Sequence, residues 1–114
     1  MERYIKIGEQ EVLFKATAGT ARRYRERFNS DVFADIQKLV NANAGQVSVL
    51  ELSIFENLAY IMAKQADPSI PDDPDDWLDQ FEIMPFIEVL PQLLTLWGLN
   101  MQGIEESKKK AEQQ

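Results

Sequence analysis

The chain has 114 residues, enough for one domain with a modest core, and its 45 % hydrophobic and 27 % charged content is ordinary for a globular protein. It contains no cysteine and no histidine, which excludes disulfides and removes the commonest general base and metal ligand. The net charge of −7 is unevenly placed, because residues 67–107 hold ten Asp or Glu and no Lys or Arg. This distribution favours a partner with basic patches and argues against general affinity for nucleic acid.

A β-hairpin is predicted at residues 3–16. Segments 3–7 and 11–16 alternate apolar and polar residues, and Gly8 and Glu9 separate them as a turn. Two strands alone are marginally stable, so the hairpin must pack on helices or pair with other strands. The pattern assigns Tyr4 and Lys6 to one face and Ile5 and Ile7 to the other.

Residues 17–101 are predicted to form about five helices. The first covers 17–28, and the second covers 31–40 with Ser30 as its N-cap. A loop of small residues follows at 41–45, and a third helix runs from Ser48 to about Ala66, opened by a Ser48–Glu51 capping box. The helical periodicity predicts that three groups of side chains, one on each helix in turn, face the core: Ala21, Tyr24 and Phe28; Val32, Phe33, Ile36, Leu39 and Val40; Leu50, Ile54, Phe55, Leu58, Ile61 and Met62.

An acidic loop at 67–73 leads to a short helix, with Asp73 as its cap and Pro74 at its first position. Trp77, Leu78 and Phe81 are expected to face inward, Trp77 as a core residue. A last helix follows Pro85 and is expected to bend or restart at Pro91. The predicted fold is therefore mostly α, with one domain at 1–103 and a polar tail at 104–114 that we expect to be disordered.

Residues 81–101 are apolar on more than one side of a helix. One stripe has the spacing of a buried face and holds Ile83, Phe86, Ile87, Leu90, Leu94, Trp97 and Met101. A second face holds Val89, Leu93 and Leu96, and a small domain would need a partner to cover it. Two glutamates and two prolines argue against a membrane span. The predicted partner-binding residues are Leu90, Leu93, Leu94, Leu96 and Trp97, and Trp97 is left open between core and interface.

Two charged clusters are candidates for binding. Arg22, Arg23 and Arg27 share a broad helical face that could hold phosphate or a carboxylate-rich partner, or could instead form salt bridges with Asp31, Asp35 and the acidic second half. The acidic cluster lacks the spacing of an EF-hand, and helix capping and solvation explain it better than a metal site. Its members are Asp67, Asp72, Asp73, Asp75, Asp76, Asp79 and Glu82.

Catalysis is not expected. The hydroxyls have no base beside them in sequence, Ser53 and Thr95 lack triad partners, and there is no glycine-rich phosphate loop. We therefore predict a non-enzymatic protein without cofactor or metal. The N-terminus has no apolar run behind its positive charges, so no signal peptide is predicted, and the absence of cysteine fits a reducing cytoplasm.

Two stretches resemble the tail assembly chaperones of long-tailed bacteriophages and prophages of Gram-positive bacteria. Residues 17–36 read TAGTARRYRERFNSDVFADI, with Phe28 two positions before a Ser–Asp that starts the next helix. Residues 58–97 lead from LAYIMAKQAD through a Pro/Asp loop to DDWLDQFE and an apolar helix ending in LLTLW. Together they span about 60 residues, and the order of segments covers nearly the whole chain.

The resemblance implies a chaperone that coats the tape-measure protein in the bacterial host cytoplasm before the tail tube polymerises, and that is absent from the mature virion. It also implies self-association and a longer form made by translational frameshifting. Lys108–Lys110 would fit such a frameshift as A-rich codons, or simply form a polar tail after a helix. A structural head–tail connector or minor virion subunit is the alternative, and a regulatory protein that contacts nucleic acid through its arginine helix is a third. Neither a nucleic acid nor a membrane is expected as a partner.

Overall fold

A computed structural model describes residues 1–41 and 48–98 of the chain. These residues form an N-terminal antiparallel hairpin followed by five helices, which confirms the predicted fold class and order of elements. The strands are β1 (Glu2–Ile7) and β2 (Gln10–Lys15). The helices are α1 (Ala18–Phe28), α2 (Val32–Asn41), α3 (Val49–Ala66), α4 (Pro74–Leu78) and α5 (Phe86–Leu96). The predicted loop at 41–45 beyond Asn41, Met101, Lys108–Lys110 and the tail at 104–114 lie outside the described residues.

The hairpin has one buried and one exposed face, as its alternation predicts. Ile5 and Ile7 are buried, whereas Tyr4 and Lys6 are exposed. Gly8 has a φ of 63°, and a glycine with positive φ at the first turn position is typical of a type II′ turn. On the outer face, Tyr4 stands opposite Leu13, between the charge-paired positions Glu2–Lys15 and Lys6–Glu11. The buried face packs on α3 and α5, which completes the core that two strands cannot form alone.

Helix α1 is capped by side chains at its start and by a residue in the left-handed backbone conformation at its end. Thr17 accepts a hydrogen bond from the Gly19 N–H, and Thr20 accepts one from the Thr17 N–H, so the two threonines form a capping box. Asn29 follows the helix with a φ of 52° and donates its N–H to the Arg25 carbonyl at 2.8 Å. Asparagine tolerates this conformation better than most residues, so the chain turns sharply towards α2.

The N-cap predicted for α2 is wrong by one residue. The Asp31 carboxylate, not the Ser30 hydroxyl, accepts the hydrogen bond from the Phe33 N–H, at 2.9 Å. Ser30 instead donates to the Asp35 carboxylate at 2.7 Å. Either side chain can cap a helix, and here Ser30 is drawn away because Asp35 is buried and needs donors.

A buried polar network joins α1 to α2. The Tyr24 hydroxyl and the Ser30 hydroxyl both donate to the same Asp35 oxygen, at 2.8 and 2.7 Å. Lys38 lies 3.8 Å from the other carboxylate oxygen. Asp35 is 5 % exposed, and a carboxylate is tolerated at such burial only when donors replace its lost water. The network therefore fixes how the two helices meet.

Helix α3 is the central element of the core. Its core positions Ile54, Phe55, Leu58, Ile61 and Met62 are buried as predicted, but Leu50 is 58 % exposed. The predicted capping box is absent as well, since Ser48 precedes the helix without a side-chain cap hydrogen bond. Periodicity identifies which face a residue occupies, but it does not report where along the helix the covering elements stop.

Trp77 anchors α4 to the rest of the domain, and its predicted core position is confirmed. Asp73 caps α4 by accepting from the Asp75 N–H at 2.9 Å, with Pro74 at the first position as predicted. The indole is 1 % exposed and packs edge-on against three rings. These are Phe14 of β2, Tyr60 of α3 and Phe81, with centroid distances of 6.5, 5.9 and 5.2 Å.

Removing the Tyr24 hydroxyl should test the network between α1 and α2. We expect Tyr24→Phe to lower the free energy of unfolding by about 1–3 kcal/mol, because a hydrogen bond to a buried carboxylate is lost. Urea unfolding followed by circular dichroism measures the change. Tyr4→Phe is the matched control, since its exposed hydroxyl has no hydrogen-bond partner among the described residues. Equal stability of the two variants would contradict a stabilising role for the bond.

The same tyrosine should give the fold an alkaline sensitivity. Burial, with the hydrogen bond to Asp35 and its negative charge, raises the pKa of the Tyr24 hydroxyl. The unfolded chain releases this proton near pH ~10 while the folded protein keeps it, so the free energy of unfolding falls as pH rises above ~10. We expect a steeper fall in the wild type than in Tyr24→Phe, measured by urea unfolding between about pH 8 and 11. Parallel profiles would contradict this assignment.

Candidate partner-binding surface

The leucines predicted to bind a partner lie in the domain's own core. The structure places Leu90, Leu93, Leu94 and Leu96 at no more than 5 % exposure. Helix α5 packs against β1 and α3, and its second apolar face, Val89, Leu93 and Leu96, is buried within the domain. The inference that the second face needs an external partner is therefore corrected, and these leucines offer a partner no surface in this structure.

Trp97 is half-buried at the end of α5. Its indole N–H donates to the Met62 sulfur at 3.3 Å, and its ring packs edge-on against Phe33 with centroids 5.7 Å apart. Phe33, predicted to face inward, is 60 % exposed despite this contact. The two rings form a partly covered aromatic corner where α2 and α5 meet, so Trp97 is mainly a packing residue that keeps one face at the surface.

The apolar stripe predicted for the start of the last helix is exposed. Ile83 and Ile87 are 75 % and 67 % exposed, although the spacing assigned both to the buried face. Helix α5 begins only at Phe86, after Pro85 as N-cap, so Ile83 precedes the helix and does not follow its periodicity. The helix then continues through Pro91 instead of restarting there, and its described end is Leu96, before Gly98 at a φ of 76°.

Exposed aliphatic side chains occur at the starts of α3 and α5, two helices that are in contact. Phe55 of α3 and Phe86 of α5 are in edge-on contact, with ring centroids 5.0 Å apart. Five exposed side chains lie in the first turn of α3, in the first turn of α5 or just before α5, and together we call them the helix-start patch: Val49, Leu50, Leu52, Ile83 and Ile87. Scattered exposed aliphatic residues are normal, but such a grouping is typical of an interaction surface.

The arginine cluster does not form a shared binding site. Arg22 pairs with Glu26 at 3.0 Å, with both side chains in solvent, an arrangement that contributes little. Arg27 donates to the Asp72 carbonyl at 2.7 Å and lies over the Tyr60 ring, 5.9 Å from its centroid. Arg23 makes no ion pair or hydrogen bond among the described residues. The predicted salt bridges are not found among the described residues, since Arg27 reaches the acidic half only through the Asp72 backbone carbonyl. Asp31 caps α2, and Asp35 pairs with Lys38.

The acidic loop is held by cations of the domain itself. The Lys64 ammonium donates to the carbonyls of Pro68 and Ile70 at 2.8 and 2.6 Å, and to the Asp72 carboxylate at 2.8 Å. The Tyr60 hydroxyl donates to the Pro71 carbonyl at 2.7 Å. With Arg27 on the Asp72 carbonyl, one loop is fixed from α1 and α3. Lys64 was missed as an anchor, since a lone lysine has no distinguishing pattern in the sequence.

The carboxylates of this loop have local structural partners. Asp67 accepts from the hydroxyl and N–H of Ser69, which lower the pKa of its carboxyl. A hydrogen bond from Lys64 likewise lowers the pKa of Asp72. Among residues 1–41 and 48–98, no group of three or more acidic side chains is arranged to hold a metal ion. The loop therefore acts as a charged, well-anchored surface segment.

No helix among the described residues is long and apolar enough to cross a membrane. A scan of the chain against protein-family models finds no match, and searches of curated proteins and of solved structures also find none.

Two side-chain truncations on α5 test which of its residues belong to the core, because one should destabilise the fold and the other should not. We expect Leu94→Ala to cost about 2–5 kcal/mol of the free energy of unfolding, because it leaves a cavity in the core. Ile87→Ala, on the same helix, should change it by less than about 0.5 kcal/mol. Urea unfolding measures both. A large cost at Ile87 with a small one at Leu94 would reverse the assignment.

Proposed function

We propose that the protein is a non-enzymatic tail assembly chaperone of a long-tailed bacteriophage or prophage. In this proposal it binds the tape-measure protein in the host cytoplasm before the tail tube polymerises, and it does not remain in the mature virion. The order of segments in the chain supports the family, through the two stretches at 17–36 and 58–97. In this proposal the binding site is the helix-start patch, because its side chains are exposed whereas the leucines of α5 are buried.

The observation that carries the proposal is the helix-start patch. These aliphatic side chains lie outside the buried core of the domain, and each keeps a large part of its surface in contact with water. Burying apolar area of this kind against a partner is favourable by about 25 cal/mol per Å². A long helical partner with an apolar stripe would aggregate unless its stripe were covered, and a patch on the starts of two helices supplies such cover.

The charge of the surface fits the same role. Residues 67–88 hold eight acidic and no basic residues, and most of these carboxylates are exposed. Excess charge of one sign keeps complexes apart and soluble while the apolar patch is engaged. Self-association and a frameshifted longer form belong to the same proposal and rest on the resemblance alone.

Co-expression with the tape-measure protein of the same gene cluster tests this function. We expect the wild type to bind it in a pull-down and to raise its soluble fraction. The double variant Ile83→Asp, Ile87→Asp should lose both effects, because charged side chains would then face the apolar partner. Tyr4→Asp is the control, because Tyr4 is a comparably exposed residue of β1 that lies outside the helix-start patch. This variant should bind as the wild type does.

Circular dichroism of each variant shows that the fold is kept. If the folded wild type neither binds nor solubilises the tape-measure protein, the chaperone function is wrong. Stoichiometric presence of the chain in purified particles would favour the structural connector or minor virion subunit instead.

A further inference from the structure

A second surface, separate from most of the helix-start patch, lies at the tip of the hairpin. An open groove of about 770 Å³ runs between the β1–β2 turn and the chain that leads into α5. One wall is formed by residues 7–10 and the other by residues 80–83, with Pro85 and Glu88 at one end. The Gln10 side-chain amide donates to the Gln80 carbonyl at 3.1 Å and ties the two walls together.

Part of the groove's lining is apolar and remains exposed. Phe81 and Pro85 are half-buried and line it, and Ile83 is 75 % exposed beside them. Ile7 is buried beneath the turn and closes the groove at that side. A side chain entering here would contact Phe81, Ile83 and Pro85, with polar groups of the lining around them.

The rim of the groove carries charge of one sign. Glu9, Glu82 and Glu88 line it, and no Lys or Arg among the described residues does. None of these three glutamates makes an ion pair within the described part of the chain, in contrast to Asp72, which Lys64 neutralises. Like charges around a concave apolar surface concentrate a negative potential that attracts cations. This uncompensated negative charge favours an occupant that carries basic side chains.

We propose that this groove binds a segment of a protein partner that carries Lys or Arg next to aliphatic or aromatic residues. The apolar side chain enters between Phe81, Ile83 and Pro85, and the basic groups meet Glu9, Glu82 and Glu88. This deepens the proposed function, on which it rests for the partner being a protein, because it states the chemistry of the segment that is bound. It predicts that basic apolar segments of the tape-measure protein are preferred over neutral ones of equal hydrophobicity.

The test uses labelled synthetic peptides and the full chain, with binding followed by fluorescence anisotropy. One peptide alternates Leu and Lys, and a second of the same length carries Gln in place of every Lys. We expect binding of the Lys peptide that weakens as salt rises from about 50 to 300 mM, and much weaker binding of the Gln peptide. Equal binding of both peptides overturns the charge selection.

Two variants of equal charge locate the site. The double variant Glu82→Gln, Glu88→Gln should weaken binding of the Lys peptide by about tenfold, because two groove carboxylates are lost. Glu56→Gln, Asp76→Asn removes two charges outside the groove lining and should weaken it by less than about twofold. Equal weakening by both would show a general electrostatic effect and overturn the groove. Ile83→Ser should also weaken binding, since the apolar contact is lost.

A fourth variant distinguishes a partner from the chain's own basic segment. If Lys108→Gln, Lys109→Gln, Lys110→Gln binds the Lys peptide markedly more tightly than the wild type, the chain's own lysines occupy the groove and the proposal is overturned; unchanged binding supports it. The pull-down keeps the two proposals apart. Peptide binding without capture of the tape-measure protein refutes the chaperone function alone, and capture that is unaffected by Glu82→Gln, Glu88→Gln refutes the groove alone.

Discussion

The structure depends on the complete enclosure of the second half of α3. Six consecutive residues, 58–63, are buried, so the helix is covered on every side over this stretch and not along a single stripe. Ala59 and Ala63 are small enough for neighbouring elements to approach closely. The hairpin, α1, α2, α4 and α5 all pack against α3, and each supplies part of its cover. A domain of this size has few elements to spare, so enclosing one helix determines where all the others lie.

The exposed surfaces follow from the same constraint. Cover is concentrated on the second half of α3, and its first turns are left with aliphatic side chains in water. The start of α5 is exposed for the same reason. Phe86, its first residue, contacts Phe55 of α3, whereas Ile83 precedes the helix. The candidate binding surfaces therefore lie past the ends of the elements that cover α3. No other described residues of the chain cover them.

Local chemistry made much of the fold predictable. The hairpin faces follow from strict alternation around Gly8, and the start of α4 follows from Asp73 and Pro74, whose roles depend only on neighbouring backbone. The inward position of Trp77 follows from its size. By contrast, the cap of α2 depended on Asp35 competing for Ser30, and the exposure of Leu50 depended on where its neighbours end. Such outcomes are set by contacts between distant residues and leave no local pattern.

The candidate site was less predictable than the fold for a specific reason. A helix that is apolar on two faces is consistent with a partner on the second face or with a second internal neighbour, and periodicity does not distinguish them. Here β1 is that neighbour, 80 residues earlier in the chain. The negative charge of the second half was readable from composition, but the structure was needed to separate Asp72, which pairs with Lys64, from the uncompensated glutamates that line the groove.

The packing of β1 against α5 has a consequence for the order of events during synthesis. The hairpin is made before the five helices described here, yet Ile5 and Ile7 gain their final cover only when α5 has been made. At elongation rates of about 5–20 residues per second, β1 lacks its α5 contact for several seconds after it is made. This contact joins the two ends of the described chain, so it forms only after every element between them has been made.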